Sequence, residues 1–193
     1  MELNDNEFSA MQGGIKEFFH EHLDMRALKK LGLTIRDKRV LEIGCGSGYG
    51  AELLMKHAPK SYVGIDIMED QIGLANDRHL FGADFKLMDA TEIGSLGVGE
   101  IDEVIDFRIL HHIPEWKSVL SECYKLLSPG GAMYVVEPYR AMSKLADTFL
   151  DWQHPSEALF KVDELEKEMQ RIGFTTQKKS IGYGFVMVGL RRS

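Results

Sequence analysis

Short apolar runs alternate with helix-like segments through most of this sequence, and that alternation limits the possible folds more than any other feature. The apolar runs lie at residues 39–43, 61–67, 85–88, 101–107 and 132–136. Helix-like patterns lie between or beside them at residues 49–57, 68–79 and 114–127. Strands that are separated by helices pair in parallel, with the helices packed against both faces of the sheet. The sequence therefore predicts a doubly wound α/β fold.

The last part of the chain breaks this alternation. A helix is predicted over residues 162–172, and two strand-like runs at 174–180 and 183–190 follow with little more than Ile181 and Gly182 between them. Because this connection is too short for a crossover helix, the two strands must be antiparallel. We predict a mostly parallel, seven-stranded, Rossmann-like sheet that ends in an antiparallel C-terminal hairpin at one edge.

Length and composition favour one folded unit. A chain of 193 residues fits a single domain with a full hydrophobic core, so we predict one domain over residues 1–193. An amphipathic helix is predicted at residues 14–31. Its plainer interpretation is a helix that covers a sheet face, and the alternative is a helical lid over residues 1–36 in which Phe18, Phe19 or His22 meets a substrate.

Charge and cysteine content exclude several kinds of partner. The formal net charge is -7, from 23 basic and 30 acidic side chains, which argues against a protein that binds nucleic acid through its phosphates. No apolar run approaches the roughly 20 residues of a membrane helix, and the first residues lack the features of a signal peptide. Two cysteines, Cys45 and Cys123, suit a reducing cytoplasm, and no metal-ligand spacing occurs. We expect a cytoplasmic protein with no metal, membrane or nucleic-acid partner.

The first predicted strand ends in a glycine-rich segment with the sequence Gly44-Cys45-Gly46-Ser47-Gly48. Glycines between a strand and a helix allow a tight turn and let backbone N–H groups approach a ligand. About twenty residues later Asp66 ends the second strand, where a carboxylate can accept hydrogen bonds from ribose hydroxyls. The two features predict a nucleotide-like ligand. A dinucleotide fingerprint would have its third glycine where this chain has Tyr49, which disfavours a pyrophosphate cradle.

The complete pattern resembles the class I S-adenosylmethionine-dependent methyltransferases, in the small-molecule branch that contains the ubiquinone and menaquinone biosynthesis enzymes. The resemblance rests on Glu42-x-Gly44-x-Gly46-x-Gly48 and on residues 63–66, 87–90, 101–106, 110–114 and 126–131. It implies S-adenosyl-L-methionine as the cofactor and a small-molecule substrate. The implied reaction is direct displacement, in which a substrate N, O, S or C nucleophile attacks the methyl carbon without a covalent enzyme intermediate.

The resemblance also implies a set of cofactor-binding residues. They are Glu42, Gly44, Cys45, Gly46, Gly48, Asp66, Ile67, Asp89, Ala90, Asp106 and Phe107. In this family the residues from Glu42 to Gly48 correspond to the methionine portion. Asp66 and Ile67 correspond to the ribose, and Asp89 and Ala90 to the adenine. Asp106 stands where the family often has a small or neutral residue. Its carboxylate either faces the cofactor's ammonium or a cationic substrate, or points away from the pocket.

Histidines supply the candidate catalytic bases, His111 and His154. Histidine titrates near neutrality, and His111 and His112 follow the fourth strand at the ligand-bearing edge of such a sheet, although packing at a helix entry is the plainer role for this pair. Residues 139–160 resemble the family's substrate-covering segment. Its candidate pocket residues are Tyr139, Arg140, Trp152, Gln153, His154 and Phe160, although an ordinary surface helix with a partly buried Trp is the plainer interpretation for any one of them.

Two other functions remain open from sequence alone. A nicotinamide-dependent oxidoreductase is compatible with the early glycines and Asp66, but the missing glycine at position 49 and the terminal hairpin count against it. A non-catalytic protein that binds an adenosyl ligand is also possible, because cofactor motifs alone do not show that a substrate is turned over.

Overall fold

The computed structural model describes residues 24–141, 143, 159–182 and 184–192. The described strands are β1 (Arg39–Ile43), β2 (Ser61–Asp66), β3 (Ala83–Leu87), β4 (Ile101–Phe107), β5 (Leu127–Pro138), β6 (Phe174–Ser180) and β7 (Gly184–Arg191). The described helices are α1 (Met25–Lys30), α2 (Tyr49–Met55), α3 (Glu69–Asp77), α4 (Trp116–Leu126) and α5 (Val162–Ile172), with 3-10 helices at Ala90–Ser95 and Leu110–His112. None of these helices has the length and apolar character that a membrane crossing needs.

The strands form one seven-stranded sheet in the order β3-β2-β1-β4-β5-β7-β6. The pairs from β3 to β5 are parallel, whereas β7 lies antiparallel between β5 and β6. The predicted fold class and the C-terminal antiparallel hairpin are thereby confirmed. The chain proceeds from β1 to one side of the sheet and later returns to place β4 on the other side. A reversal of this kind opens a crevice beyond the carboxyl ends of the two strands.

Helices cover both faces of the sheet and create two hydrophobic cores. On one face Leu120 of α4 and Leu165 of α5 pack against β1, β4 and β5. On the other face Leu28 of α1 and Leu54 of α2 pack against the alternate side chains of the same strands. The inner strands β1, β2 and β4 are buried along almost their whole length, as expected for parallel strands covered on both sides.

The described part of the predicted lid belongs to the core. In residues 24–36 the side chains of Leu28, Leu33 and Ile35 are buried among β-strand side chains. The plainer interpretation, a helix that covers a sheet face, therefore holds for this stretch. Residues 1–23, which contain Phe18, Phe19 and His22, lie outside the described residues.

Strand β5 begins five residues earlier than the predicted start at residue 132. Leu127 already pairs with Ile101, and the next pair is Ala132 with Glu103, so residues 128–131 bulge out opposite Asp102. The Asp102 carboxylate holds this bulge, since it accepts a hydrogen bond from Ser128 Oγ (3.0 Å) and two from the Arg39 guanidinium (3.0 and 2.7 Å). Arg39 also keeps the pKa of Asp102 well below its usual value. The sequence predicted a turn at residues 128–131. It did not predict that the Asp102 carboxylate would bind this turn and hold it beside β4.

Glu103 in β4 should make the stability of the protein depend on pH. The residue is 5% exposed, its Oε2 has no hydrogen-bond partner within the described residues, and burial raises its pKa to about 8. Because the folded state binds this proton more tightly than the unfolded state, the contribution to stability is complete below about pH 4.5 and is lost as the pH rises toward 8. Between pH 5 and 8 the loss amounts to at most roughly 4 kcal/mol.

The variant Glu103→Gln, which cannot ionise, is expected to lose this pH dependence. Thermal unfolding between pH 5 and 9 should show the wild-type Tm falling relative to that of the variant. The matched control is Glu100→Gln, because the Glu100 side chain is 65% exposed. Parallel Tm curves for wild type and Glu103→Gln would show that Glu103 is already ionised in the folded protein.

Candidate active site

Two cavities meet at Gly44, at the carboxyl ends of the central strands. The larger is bounded by residues that follow β1, β2, β3 and β4, and it encloses about 740 Å³ of empty space with its open mouth included. The smaller cavity, about 260 Å³, lies between the end of β1, the start of α2 and Phe107.

Gly44 separates the two cavities and is the position where only glycine fits. Its φ is +63°, and a Cβ atom there would lie 2.0 Å from Cγ1 of Ile109. The Ile109 side chain therefore packs directly on the backbone of the glycine segment. Ile109 also lines the larger cavity, so the glycine allows the segment after β4 to close over the end of β1.

Asp66 connects the end of β2 to the glycine segment. Its Oδ2 accepts a hydrogen bond from Gly46 N and its Oδ1 accepts one from Met68 N, each at 2.9 Å. The carboxylate lines the larger cavity although the residue is only 8% exposed. Each carboxylate oxygen has two lone pairs, so the group can accept hydrogen bonds from the protein and from a ligand hydroxyl at the same time.

Glu42 occupies the corresponding position in the smaller cavity. It accepts a hydrogen bond of 2.5 Å from the Tyr62 hydroxyl, and burial together with this carboxylate raises the pKa of Tyr62. Gly50 of α2 leaves room for the carboxylate, because a Cβ at that position would lie 2.1 Å from Glu42 Oε1. Cys45 and Phe107 line the same cavity. Burial raises the pKa of the Cys45 thiol, which keeps it protonated and unreactive.

Asp89 and Ala90 lie across the larger cavity from the glycine segment. Asp89 caps the 3-10 helix that starts at Ala90, since its Oδ1 accepts hydrogen bonds from Thr91 N and Thr91 Oγ1, both at 2.8 Å. Ile67 completes this side of the cavity. The residues predicted to meet ribose and adenine thus share one cavity.

The other two predicted glycines shape the segment without lining either cavity. Gly46 N is the donor to Asp66, and Gly48 precedes the first turn of α2. Arg78, just after α3, holds this segment from outside: its Nε donates to Ser47 O (2.5 Å), and its guanidinium lies 3.8 Å from the centroid of the Tyr49 ring. No local pattern could have revealed Arg78, because these contacts join residues about thirty positions apart.

Asp106 and His111 lie behind the cavity wall. Asp106 is fully buried, and its Oδ1 accepts hydrogen bonds from the backbone N–H groups of Ile109 (2.9 Å) and Leu110 (3.2 Å). Nδ1 of His111 lies 2.5 Å from Oε2 of Glu137, while Oε1 of Glu137 accepts from His111 N (3.3 Å). Neither Asp106 nor His111 lines either cavity. The role of these side chains is to fix the backbone after β4.

Burial disfavours the charged forms of two carboxyl groups here, those of Asp106 and Glu137. Burial and the neighbouring Glu137 raise the pKa of Asp106 well above its usual value, and burial raises the pKa of Glu137 as well. Asp106 therefore keeps its proton, and its Oδ2 has no hydrogen-bond partner among the described residues. His112, whose ring centroid is 4.2 Å from that of His111, is the histidine that lines the larger cavity.

The segment predicted to cover the substrate is only partly described. Phe160 is a core residue, packed against Trp116 with ring centroids 4.8 Å apart, and it lines neither cavity. Tyr139 donates a hydrogen bond of 2.8 Å from its hydroxyl to Ser180 Oγ at the end of β6. Arg140 follows it and is partly buried. The candidate base His154 and its neighbours Trp152 and Gln153 lie outside the described residues.

Several lining residues of the larger cavity were not predicted as site residues. They are Met68, Gln71, Met88, Ile109, His112, Ile113, Pro114 and Glu115. In the sequence, Gln71 is distinguished only as a polar residue beside the apolar Ile72. The structure shows that both residues are buried in the helix. Residues 110–114 were part of the recognised pattern, but the pattern did not show that their side chains face the ligand.

Comparison with known proteins shows what kind of domain carries this site. Residues 15–179 match the family described as "Methyltransferase domain". The chain belongs to this methyltransferase family. A ubiquinone biosynthesis O-methyltransferase of Rhizobium rhizogenes is 31% identical over 148 residues, which are 70% of this chain and 59% of that protein. A probable S-adenosylmethionine-dependent methyltransferase of Mycolicibacterium smegmatis is 31% identical over 150 residues, with 77% and 56% covered.

A solved structure confirms the methyltransferase fold over nearly the whole chain. It is the complex between the Haloferax volcanii Trm112 methyltransferase activator and a putative methyltransferase. The match has a TM-score of 0.77 at 17% identity and covers 97% of this chain and 98% of that one. By contrast, this chain spans only a little over half the length of the two curated relatives. The comparisons do not support the nicotinamide-dependent alternative.

S-adenosyl-L-methionine is the cofactor of this methyltransferase family, and the residues of the two cavities fit it. The cofactor carries a cationic sulfonium and an ammonium, and Glu42 and Asp66 place carboxylates on the two sides of Gly44. The same carboxylates would repel the pyrophosphate of a dinucleotide. The buried amide of Gln71 adds a polar group that can bind an uncharged acceptor.

Proposed function

We propose that this protein transfers the methyl group of S-adenosylmethionine to an N, O, S or C nucleophile of a small molecule. The observation that carries the proposal is the pair of cavities that meet at Gly44, one containing Glu42 and the other Asp66. This arrangement gives the cofactor one carboxylate beside its methionine portion and another beside its ribose. Membership of the methyltransferase family supports the same conclusion.

The lining residues suggest how the cofactor is oriented. In this proposal Glu42, Cys45 and Phe107 surround the methionine portion in the smaller cavity. Asp66 binds the ribose hydroxyls in the larger cavity, with Ile67 beside it. Asp89 and Ala90 meet the adenine. Gly46 and Gly48 shape the segment, and Asp106 supports it from behind.

The protein's contribution to such a reaction is alignment and the exclusion of water. When bound, the cofactor supplies an electrophilic methyl carbon on its sulfonium sulfur. The carboxylates hold the ligand in place, and Ile109 fixes the width of the cavity above Gly44. Holding two reactants in line replaces a bimolecular encounter, which is the main source of rate in displacement reactions of this kind.

We propose that two segments of the chain cover the site. Asp24, the first described residue, binds Arg108 just after β4, with Oδ2 2.6 Å from the guanidinium nitrogen. Within the lid predicted over residues 1–36, we propose that the part before Asp24 covers the site, and we propose residues 139–160 as the substrate-covering segment of the single domain. His154 remains the proposed base where a substrate needs one, and His112 rather than His111 faces the ligand.

The small-molecule substrate and the cytoplasmic location also belong to this proposal. Cys45 and Cys123 are buried free thiols, which suits a reducing compartment. The net charge of -7 disfavours a nucleic-acid substrate.

A labelled-methyl assay tests the activity. The protein is incubated with S-adenosylmethionine that carries a labelled methyl group and with fractionated metabolite extracts, and labelled products are separated by size. Label is expected in small organic products, and it should be absent with an Asp66→Ala variant. Cofactor binding without any labelled product across broad extracts would favour the non-catalytic binding protein instead.

A further inference from the structure

Gln71 is buried in the wall of the larger cavity with an amide nitrogen that the protein does not use. The residue is 1% exposed, and it lies in the first half of α3. Its Nε2 has no hydrogen-bond partner among the described residues. Its neighbour Ile72 and the later Ala75 are buried apolar residues of the same helix.

An unpartnered amide in such a position needs an explanation. A buried N–H group that loses water without gaining an acceptor destabilises the folded protein, whereas an apolar side chain of similar size would not. Native proteins leave few groups in this state, and each of them calls for an explanation. Since Gln71 lines the cavity, a bound ligand can supply the missing acceptor.

The neighbours of Gln71 show which part of the ligand it meets. Gln71 shares the larger cavity with Asp66, Met68 and Asp89, and it takes no part in the smaller cavity. In the proposed orientation the larger cavity holds the adenosine half of the cofactor. Adenosine offers ring nitrogens and ribose oxygens that accept hydrogen bonds from an amide.

We propose that Gln71 is a cofactor-binding residue whose side-chain amide donates a hydrogen bond to the adenosine half of S-adenosylmethionine. This inference rests on the proposed function for the orientation of the cofactor. The inference gives Gln71 a role in cofactor binding, although Gln71 belongs to no charge pattern or glycine motif in the sequence.

The variant Gln71→Met keeps the length of the side chain and removes its hydrogen-bonding groups. Without ligand its Tm is expected to equal or exceed that of the wild type, because the unpartnered amide is gone. Calorimetry should show the dissociation constant for S-adenosylhomocysteine rising roughly 2- to 12-fold, the effect of one lost hydrogen bond between uncharged groups. The same fold-change is expected for 5′-methylthioadenosine, which lacks the amino-acid part of the ligand.

The matched control is Gln177→Met, an exposed glutamine in the edge strand β6, which should change neither affinity nor Tm. Equal affinity of Gln71→Met and wild type for S-adenosylhomocysteine would overturn the inference. A loss for S-adenosylhomocysteine but not for 5′-methylthioadenosine would also overturn it, because the contact would then lie on the amino-acid part. If wild type bound neither ligand, the proposed function itself would fail, and that result differs from both.

Discussion

Replacing Asp66 by alanine is expected to raise the dissociation constant for S-adenosylhomocysteine by about two orders of magnitude or more. A hydrogen bond to a charged group contributes about 1.5–3 kcal/mol, and each 1.4 kcal/mol is a factor of about ten in affinity. The proposed contact with the ribose uses two such bonds. The variant also loses the acceptor for Gly46 N and Met68 N, so a modest drop in Tm without ligand is expected as well.

Calorimetric titration of the folded variant separates these two effects. Asp84→Ala is the matched control, because it removes one carboxylate from the edge strand β3, where Asp84 lies 3.4 Å from Lys86 and outside both cavities. An analogue of S-adenosylhomocysteine without the ribose hydroxyls adds a second comparison. Wild type should discriminate strongly against this analogue, and Asp66→Ala should not. Undiminished discrimination in the variant would remove Asp66 from the ribose site.

Replacing Gly44 by alanine is expected to lower both stability and cofactor affinity. The new Cβ would lie 2.0 Å from Cγ1 of Ile109, and the backbone has a φ of +63° that alanine adopts only with strain. Together these effects cost about 2–4 kcal/mol, which corresponds to a Tm decrease of roughly 5–15 °C for a domain of this size. Because Ile109 must move into the larger cavity, affinity for S-adenosylhomocysteine should fall at least about tenfold.

Gly73→Ala is the control for an added methyl group. Gly73 lies in α3 with no atom within 4 Å of a Cβ built there, so alanine should stabilise the helix by about 0.5–1 kcal/mol. The double variant Gly44→Ala, Ile109→Ala should recover part of the loss, because it removes the side chain that is hit. Equal effects of Gly44→Ala and Gly73→Ala would show that the glycine segment is not in contact with Ile109.

The sequence predicted the parts of this protein that depend on local pattern. Strand β4 and helix α5 begin and end at the predicted residues. In both elements the spacing of the apolar residues is a local feature of the sequence. Asp66 could be placed at the ligand-bearing edge because it ends a strand of a parallel sheet, whereas Asp89 was placed there by the family resemblance, and both line the larger cavity.

The features that the sequence did not predict depend on contacts between residues that are far apart in the chain. Glu137 at the end of β5 contacts His111, and this contact turns a candidate base toward the interior. Phe160 was a candidate for the pocket wall because it is aromatic, but its ring packs against Trp116 in the core. Gln71 is one polar side chain in a short helix, and only the cavity beside it gives it a role. None of these outcomes follows from propensity or spacing, because each depends on how the elements pack.

The most direct test of the account is which ligand stabilises the wild-type protein. A ligand at 100 times its dissociation constant adds about 2.7 kcal/mol to the free energy of unfolding, which raises the Tm of a domain of this length by roughly 5–10 °C. The account predicts this rise with S-adenosylhomocysteine and no comparable rise with NAD. Stabilisation by NAD and none by S-adenosylhomocysteine would contradict the assignment of both cavities.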